Sequence, residues 1–535
     1  MDNKNLILAV VFSLLVTLGW FKFLEMKYPN RAVSPGPSAG AQASTPPVTL
    51  DQPSSMSAPT IKPVVTTAGL SGALSVRIGD LAMSFQPQGA SIVSYLYPGP
   101  LGDVELILDP TPGFFATWPE LTFEWASEDK RRPAFEAIHP TGVKIRKEFA
   151  FADLGELHSL RITLTNPGSA PATLKDWAVE VGPGLGTVES EVGENASLWS
   201  AVAYHTPAGE SKPELENLEA TDKAEQIQTP WLWAGVGNRY FLAALFQPKN
   251  RELGNIVHGA QLKMTRGRGM LGGEKMTEEK APWLGIAVKP ITLAAGQTMV
   301  LDMPFYFGPK GYTHLKTLGV GLEDSVSFGW FKDIGRFTLN VLHYFHGFTN
   351  NWGWAILFLT VCLQVVMFPL TYKQYKSMAI MKKIQPEVTR VQQKWKSDPT
   401  RMQKEMMAVY KKHGANPLGG CLPLVFQMPV FVALFNMLRG AWELHGAPWM
   451  FWVQDLSAKD PYYILPIVMG GTMFVQNKLN PQPGGDPNQQ KMMQYMPVIM
   501  TFMFLRFPSG LVLYWLTNSL LGFATQTMIK RQMEA

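Results

Sequence analysis

The chain has 535 residues, of which 46% are hydrophobic, 11% are aromatic and only 17% are charged. Soluble domains usually carry about 25% charged residues, so this composition excludes a disordered or fibrous protein and argues against an ordinary soluble enzyme. The net charge of +5 is too small to indicate a nucleic-acid partner. The two cysteines, Cys362 and Cys421, both lie in apolar segments and provide no disulfide framework for an exported domain.

The first predicted element is an uncleaved membrane anchor, which we assign to residues 1–28. Residues 6–24 are apolar apart from Lys22, and this stretch is about as long as a bilayer is thick. The sequence EMKYPN follows it, in place of the small-residue cleavage site of a signal peptide. Residues 29–68 are rich in Pro, Ser, Ala and Thr, a composition that predicts a disordered, extended linker.

Residues 69–325 are predicted to form a separate β domain. Alternating runs such as LSVRIGDLAMSF, KIRKEFAF, HSLRITLTN and TMVLDMPFYFG recur between Gly, Pro and Asn turn signals. A period of two between turn residues is typical of an antiparallel β-sandwich. No helical pattern of comparable length and no transmembrane candidate interrupts this region.

The last part of the chain is predicted to be helical and embedded in a membrane. Residues 326–350 mix aromatic and charged residues at helical spacing, as in an amphipathic helix that lies at a membrane interface. Residues 351–535 contain five apolar stretches that we assign as spans: 352–371, 418–438, 462–478, 493–507 and 509–528. The predicted fold class is therefore an α+β membrane protein, with an N-terminal anchor helix, a periplasmic antiparallel β-sandwich and a five-helix transmembrane core.

Charge predicts how the chain is oriented. The segment after the first core span carries eleven Lys and Arg residues against three acidic residues, and the positive-inside rule places such a loop in the cytoplasm. Counting back, the N-terminus is cytoplasmic and residues 25–350 are periplasmic. Two apolar stripes predict a helical hairpin over 373–415, with Asp398 as the N-cap of its second helix and Pro399 at the first helical position.

The basic residues of this hairpin allow two interpretations. They form either a solvated face beside anionic lipid or a docking arm for a ribosome, a targeting factor or a nascent chain. The residues concerned are Lys382, Lys383, Arg390, Lys394 and Lys396.

The sequence contains no motif that predicts catalysis. There is no H-E-x-x-H, G-x-S-x-G or Walker sequence. His343 and His346 are one helical turn apart, but no third ligand is visible, so we assign them to the interfacial helix. We predict a protein that is not an enzyme and that uses no cofactor and no metal.

The informative polar residues lie inside the predicted spans. Such groups are costly in hydrocarbon unless they are paired or face a wet cavity. One interpretation is hydrogen bonding between helices. The other is a polar, water-accessible substrate groove, lined by Gln364, Gln427, Asn436, Thr517 and Asn518.

Four segments carry a resemblance to a known family. NWGWAILFLT with FPLTYKQYKSMAIMKKIQP, NPLGGCLPLVFQMPVFVALFNML, DLSAKDPYYILPIVMG and MPVIMTFMFLRFPSGLVLYW are similar to the signature segments of the YidC family of membrane protein insertases. The resemblance implies a protein that inserts and helps to fold inner-membrane proteins, alone or beside the Sec translocon. The implied partners are nascent membrane proteins, the Sec translocon, the ribosome, the signal recognition particle receptor and membrane lipids, with no direct nucleic-acid partner.

The sequence departs from the family pattern within the groove. Many relatives carry an arginine five residues before the Pro of the first core span, and here that position is Gln364. We advance the hypothesis that Arg506, in the predicted span 493–507, supplies the missing positive charge; the alternative is that Arg506 reaches outward to the membrane interface. By resemblance, Trp515 contacts an incoming helix, and we assign it to a lipid-facing slide with Leu513, Val512 and Phe426.

Two other functions compete with the insertase. One is a polytopic transporter or channel with a periplasmic binding domain, although transporters usually show repeats and none is visible here. The other is an anchored periplasmic carbohydrate-binding or -processing protein, which would need paired carboxylates on the sandwich. The C-terminal sequence IKRQMEA is short, so ribosome contact would depend on the hairpin.

Overall fold

The structure, a computed structural model, describes residues 73–127, 129, 131–193, 195–268, 274–414, 422–479 and 487–534. The predicted anchor 1–28 and linker 29–68 lie outside the described residues. The chain divides into two units. The larger unit consists of Leu70–Met378 and Leu418–Ala535, and the described part of the smaller unit is residues 379–414.

The β region consists of antiparallel sheets. One four-stranded sheet has the order β1-β2-β3-β4, a nine-stranded sheet has the order β12-β11-β14-β15-β19-β8-β7-β6-β5, a second four-stranded sheet has the order β10-β17-β16-β13, and β9 pairs with β18. The strands are β1 Leu74–Ile78, β2 Leu81–Gln86, β3 Ser91–Gly99, β4 Gly102–Glu105, β5 Glu124–Trp125, β6 Ala134–Ile138, β7 Lys144–Ala150, β8 His158–Thr165, β9 Ala172–Leu174, β10 Ala178–Val181, β11 Ser200–His205, β12 Glu214–Leu218, β13 Glu225–Ile227, β14 Trp231–Gly237, β15 Phe241–Phe246, β16 Ile256–Arg268, β17 Glu274–Ala287, β18 Ile291–Leu293 and β19 Thr298–Pro309.

Alternation along the strands builds the core of this region. In β7, Ile145 and Phe149 are fully buried while Arg146 is only partly buried. Lys147 lies on the same inward face as Ile145, and its ammonium donates to the carbonyl oxygens of Gly89, at 2.9 Å, and Phe115. Burial lowers the pKa of Lys147 well below its ordinary value. These hydrogen bonds offset part of the cost of burying a charged group.

Helices make up the rest of the described chain. Short helices α1 Asn195–Leu198 and α2 Tyr312–Thr317 belong to the β region. The longer helices are α3 Lys332–Thr349, α4 Trp352–Lys394, α5 Pro399–Lys412, α6 Leu422–Gly440, α7 Ile464–Leu479, α8 Pro487–Phe504 and α9 Ser509–Glu534. 3₁₀ turns span Glu189–Glu191, Leu322–Ser325, Gly329–Phe331 and Trp442–Leu444. The predicted order of an antiparallel β domain followed by a helical region is confirmed; the number of spans and their orientation stay predictions.

Helix α3 has two distinct faces. Leu339 and Leu342 are buried, whereas Phe337, Tyr344 and Phe348 are between 65% and 79% exposed. A row of exposed aromatic rings is costly in water but suits the headgroup level of a membrane. This exposed aromatic face of α3 fits the predicted interfacial helix over 326–350.

Helix α4 is longer than the sequence indicates. The sequence predicts a span over 352–371 and a separate hairpin helix after it, but one helix of 43 residues runs from Trp352 to Lys394 and continues through Pro369. Among the described residues, α4 is the one helix that is long and apolar enough to cross a membrane by length and composition.

The loop between α6 and α7 packs against the β region. The Trp442 ring lies 5.1 Å from Phe241 and 5.8 Å from Tyr240, both at or next to β15. Behind it, the buried His445 ring lies 5.0 Å from Trp442 and hydrogen-bonds the Ser457 hydroxyl at 3.3 Å. This aromatic contact joins the ends of two helices to the β region.

The smaller unit is a helical hairpin with its own apolar core. Met381, Ile384 and Val388 on one helix and Val409 and Tyr410 on the other are buried together. The Asp398 carboxylate accepts the backbone N–H of Arg401 at 3.0 Å, and Pro399 takes the first helical position. The predicted N-cap is confirmed.

We predict that Asp398→Ala weakens the hairpin. Removing an N-cap acceptor leaves a helix donor unsatisfied and costs about 1 kcal/mol. Amide hydrogen exchange should therefore be faster in α5 than in the unaltered protein. Asp398→Asn keeps the acceptor and serves as the control; equal exchange in the alanine and asparagine variants would show that the cap does not hold the helix.

Candidate functional site

The helices of the larger unit pack tightly at one end. Ala355, Ile356 and Leu359 of α4 are at most 1% exposed, as are Leu434 and Leu438 of α6. Leu511 to Tyr514 of α9 and Phe504 of α8 belong to the same apolar cluster. The start of α4 also meets the Trp449 side chain at Gly353, where an added Cβ would lie 2.1 Å from the ring. Around Ile356 and Leu511, this end of the bundle is therefore tightly packed and apolar.

Packing loosens further along the helices. From Val361 to Ile380 of α4, no side chain is buried. On α6, residues 427–432 are half-buried or exposed, and on α9 the same holds for Thr517 and Asn518. The bundle therefore changes from a tightly packed end to a part in which these side chains are only partly buried or exposed.

Polar side chains lie at this transition. Gln364 is half-buried just beyond the sealed turns of α4. Gln427 of α6 is half-buried and hydrogen-bonds Tyr514 of α9. The Thr517 hydroxyl donates to the Leu513 carbonyl at 2.8 Å, within its own helix. The predicted residues Gln364, Gln427, Thr517 and Asn518 are therefore all partly accessible.

Asn436, the fifth residue predicted to line the groove, lies apart from these four residues. Its side-chain amide donates to the Phe328 carbonyl at 3.4 Å, in the segment before α3. Asn436 is also nine residues from Gln427 along α6, which is roughly 13 Å at the helical rise. The prediction that Asn436 lines the groove is wrong for this structure; the residue fixes the approach to α3.

The structure also contains polar contacts between helices that the sequence does not indicate. The Tyr375 hydroxyl of α4 donates to the Gly522 carbonyl of α9 at 3.3 Å. Nearby, the Gln476 side chain of α7 donates to the Ser519 carbonyl. Tyr375 falls within the predicted hairpin 373–415, so only the tertiary structure identifies it as a helix-to-helix contact. These bonds join α4 and α7 to α9 within the loosely packed region.

The predicted slide residues are mostly inside the bundle. Val512 and Leu513 are at most 2% exposed, so a lipid-facing role for them is wrong in this structure. Trp515 is partly buried, edge-on to Phe431 at 4.8 Å and 5.2 Å from Phe504. The side chain of Phe426 lies outside the described residues.

Arg506 lies beyond its predicted helix. Helix α8 ends at Phe504, three residues before the end of the predicted span 493–507, so Arg506 falls in the turn between α8 and α9. Its side chain is exposed. The same turn is joined to the loop between α6 and α7, because Ser509 N–H donates to the Ala458 carbonyl at 2.7 Å. Arg506 is therefore at the sealed end of the bundle, as the interfacial alternative requires.

The basic face of the hairpin is open to solvent. Lys382, Lys383, Arg390, Lys394 and Lys396 are all exposed. Across the hairpin, His413 and Lys412 donate to the Glu387 carboxylate at 2.8 and 3.2 Å and hold the pKa of Glu387 below its ordinary value.

The two histidines of α3 are engaged in packing. His343 hydrogen-bonds Glu443 at 3.2 Å, and His346 stacks on the Trp352 ring at 3.8 Å. Within the described part of the chain, no group of three or more His, Cys, Asp or Glu side chains is arranged to hold a metal ion.

The chain is similar to known proteins over its whole length. Residues 344–535 match the family model described as 60Kd inner membrane protein, and residues 117–339 match the YidC periplasmic domain. Membrane protein insertase YidC of Geobacter metallireducens is 32% identical and covers 100% of this chain and 99% of its own length. The protein of the same description from Endomicrobium trichonymphae is 37% identical, over 80% of this chain and 79% of its own. A solved structure of an active YidC insertase is 17% identical, with a TM-score of 0.40, over 85% of this chain and 92% of that one.

These matches define an inner-membrane protein with a periplasmic domain. The chain belongs to the YidC family of membrane protein insertases. The predicted family is therefore confirmed, and the protein is an insertase and not an enzyme.

We predict that Leu513→Ala strongly destabilises the protein. Leu513 is 2% exposed, and truncating a buried leucine typically costs roughly 2–5 kcal/mol. Val365→Ala on α4, where the side chain is 66% exposed, should change the free energy of unfolding by less than about 0.5 kcal/mol. Unfolding of both variants in the same detergent measures the difference. Equal effects would restore the lipid-facing assignment of Leu513.

Proposed function

We propose that this membrane protein insertase takes newly made inner-membrane proteins into the bilayer through a polar groove between α4, α6 and α9. The observation that supports the proposal is the change along the bundle from dry packing at Ile356 and Leu511 to partly accessible side chains at Gln364, Gln427 and Asn518. A cavity that is wet on one side and sealed on the other shortens the apolar distance that a hydrophilic segment must cross.

The physical benefit comes from desolvation. A polar or charged side chain at the bilayer centre costs several kcal/mol, and each unpaired backbone group adds to that cost. Side-chain amides and hydroxyls in the groove replace some of the lost hydrogen bonds with water. Next to them, Val361, Val365 and Val366 of α4 are exposed and apolar, which offers an incoming helix a path from the groove to the lipid.

The orientation of the chain follows from the positive-inside rule and is part of the same proposal. The exposed basic hairpin lies in the cytoplasm, where it receives substrate from the ribosome or the signal recognition particle receptor. The β domain is periplasmic, and the sealed end of the bundle faces it. In the same proposal, the protein acts either alone or together with the Sec translocon.

In this chain the groove is neutral where many relatives are charged. Gln364 forms hydrogen bonds but does not attract acidic groups over a distance. Arg506 lies in the exposed turn at the sealed end, where its positive charge attracts the acidic tail of a substrate as the tail leaves the groove.

We predict that a photoreactive phenylalanine analogue at Gln364 crosslinks to a ribosome-stalled nascent membrane protein. The groove interpretation places this residue beside the passing chain. The same analogue at Ile467, which is 60% exposed on α7, a helix outside the proposed groove, should give little product. Crosslinks are measured after irradiation of membranes that contain the full-length protein.

Each result of the crosslinking experiment bears on function. Adducts at Gln364 that exceed those at Ile467 support the insertase with a groove. Equal adducts at both positions would contradict the groove, and no nascent-chain adducts at either position would favour the transporter or channel.

We predict that Arg506→Ala impairs insertion of substrates with acidic translocated tails. Removing one attraction between unit charges in water costs about 1 kcal/mol. Insertion of such substrates should therefore fall roughly fivefold in proteoliposomes. Neutral-tailed substrates should be unaffected. Lys478→Ala, at the C-terminal end of α7, is the control for a general loss of charge. Equal insertion of both substrate types by the Arg506→Ala variant would contradict a role for Arg506.

A further inference from the structure

A cleft of about 250 Å³ lies where the β region meets the helical bundle. Its walls come from β11, the β12 and β14 ends, the segment 325–327 before α3 and the C-terminal end of α6. The cleft is separate from the groove, because it lies beside Asn436 at the sealed end of the bundle.

The charged residues of this cleft are all basic. Lys310, Arg239 and Arg439 line it, and no carboxylate is among its lining residues. Arg239 forms an ion pair with the nearly buried Glu191. Glu443 is a lining residue of a smaller adjoining void and is hydrogen-bonded by His343. The cleft therefore presents a net positive lining.

Lys310 is the least compensated of these groups. The residue is 9% exposed, and its ammonium donates to the Ser325 carbonyl at 3.2 Å. Burial lowers the pKa of Lys310 to about 8. A buried ammonium with a neutral acceptor gains strongly from an anion, because charge-assisted hydrogen bonds are about twice as strong as neutral ones.

The remaining walls indicate what kind of anion fits. Leu198, Val202 and Leu242 provide apolar surface, and Ser200 and Asn217 provide neutral hydrogen-bonding groups. Trp330, three residues after Ser327, is 55% exposed, and Phe337 of α3 is 65% exposed; exposed aromatic rings suit the headgroup level of a membrane. Basic side chains beside an apolar wall fit the phosphate and the adjoining carbon atoms of a phospholipid headgroup.

We propose that this cleft binds the phosphate headgroup of an anionic phospholipid from the periplasmic leaflet, with Lys310 and Arg439 as the phosphate ligands. The leaflet, though not the chemistry, rests on the orientation given in the proposed function. A bound lipid at this place joins the β domain, the approach to α3 and the end of α6 through one ligand.

Native mass spectrometry of the full-length protein in detergent tests the proposal. Phosphatidylglycerol should remain bound at least fivefold more than phosphatidylcholine. Lys310→Met, which removes the charge and keeps most of the volume, should lose that preference. Lys316→Gln, an exposed lysine on α2 six residues away, should keep it.

Further measurements separate the possible outcomes. If Lys310→Met does not fold, as judged by its melting temperature, Arg439→Gln at the same cleft takes its place. Retention of phosphatidylglycerol by the cleft variant at the level of the Lys316→Gln control would overturn the proposal. Binding of inorganic phosphate without retention of phosphatidylglycerol would show a site for the free anion and would overturn the lipid assignment. Failure in this assay with normal insertion would leave the proposed function intact.

Discussion

The free-energy cost of placing polar groups in hydrocarbon is the constraint on which the rest of this structure depends. In a bilayer every backbone and side-chain polar group needs a partner or water. The bundle meets this constraint in two ways. At the sealed end, the buried side chains are mostly apolar, such as Ile356, Leu434 and Leu511, and the buried Ser509 hydroxyl donates to the Ala458 carbonyl. Further along, Gln364 and Asn518 are only partly buried, and the proposed groove would let water hydrate them.

The tightly packed end of the bundle can act as a barrier only if it stays closed when a substrate enters the proposed groove. The loop between α6 and α7 fixes this end, because Trp442 packs on Phe241 of the β region and the backbone of Gly510 donates to the Leu456 carbonyl at 2.8 Å. The β region, whose aromatic core is extensive, is a rigid support for these contacts. We infer that it braces the helix ends against the displacement that an incoming segment would cause.

Several elements could be predicted from the sequence because their signals are local. Alternation specifies strands such as β7, and Asp398 followed by Pro399 specifies the start of α5. The predictions that differ from the structure have a common cause, because each concerns a position that is set by tertiary contacts. Helix α9 is apolar on most sides, so no pattern indicates that Val512 and Leu513 face inward. Asn436 bonds a carbonyl that is 108 residues away. The end of α8 differs from the prediction by three residues, which is enough to move Arg506 from a helix to a turn.

The contacts also separate two uses of polar residues that sequence alone leaves equivalent. Asn436 and Gln476 donate to backbone carbonyls of neighbouring segments, which is the behaviour of residues that hold helices together. Gln364 sits on a helix whose neighbouring side chains, from Val361 to Ile380, are never buried. In the proposed groove, a neutral amide at this position would hydrate a passing segment without binding it tightly, because its hydrogen bonds would exchange readily with water. A fixed arginine would instead favour acidic segments. We therefore propose that an amide here lowers electrostatic selection and widens the range of substrates, and that selection by charge rests with Arg506 and the basic hairpin.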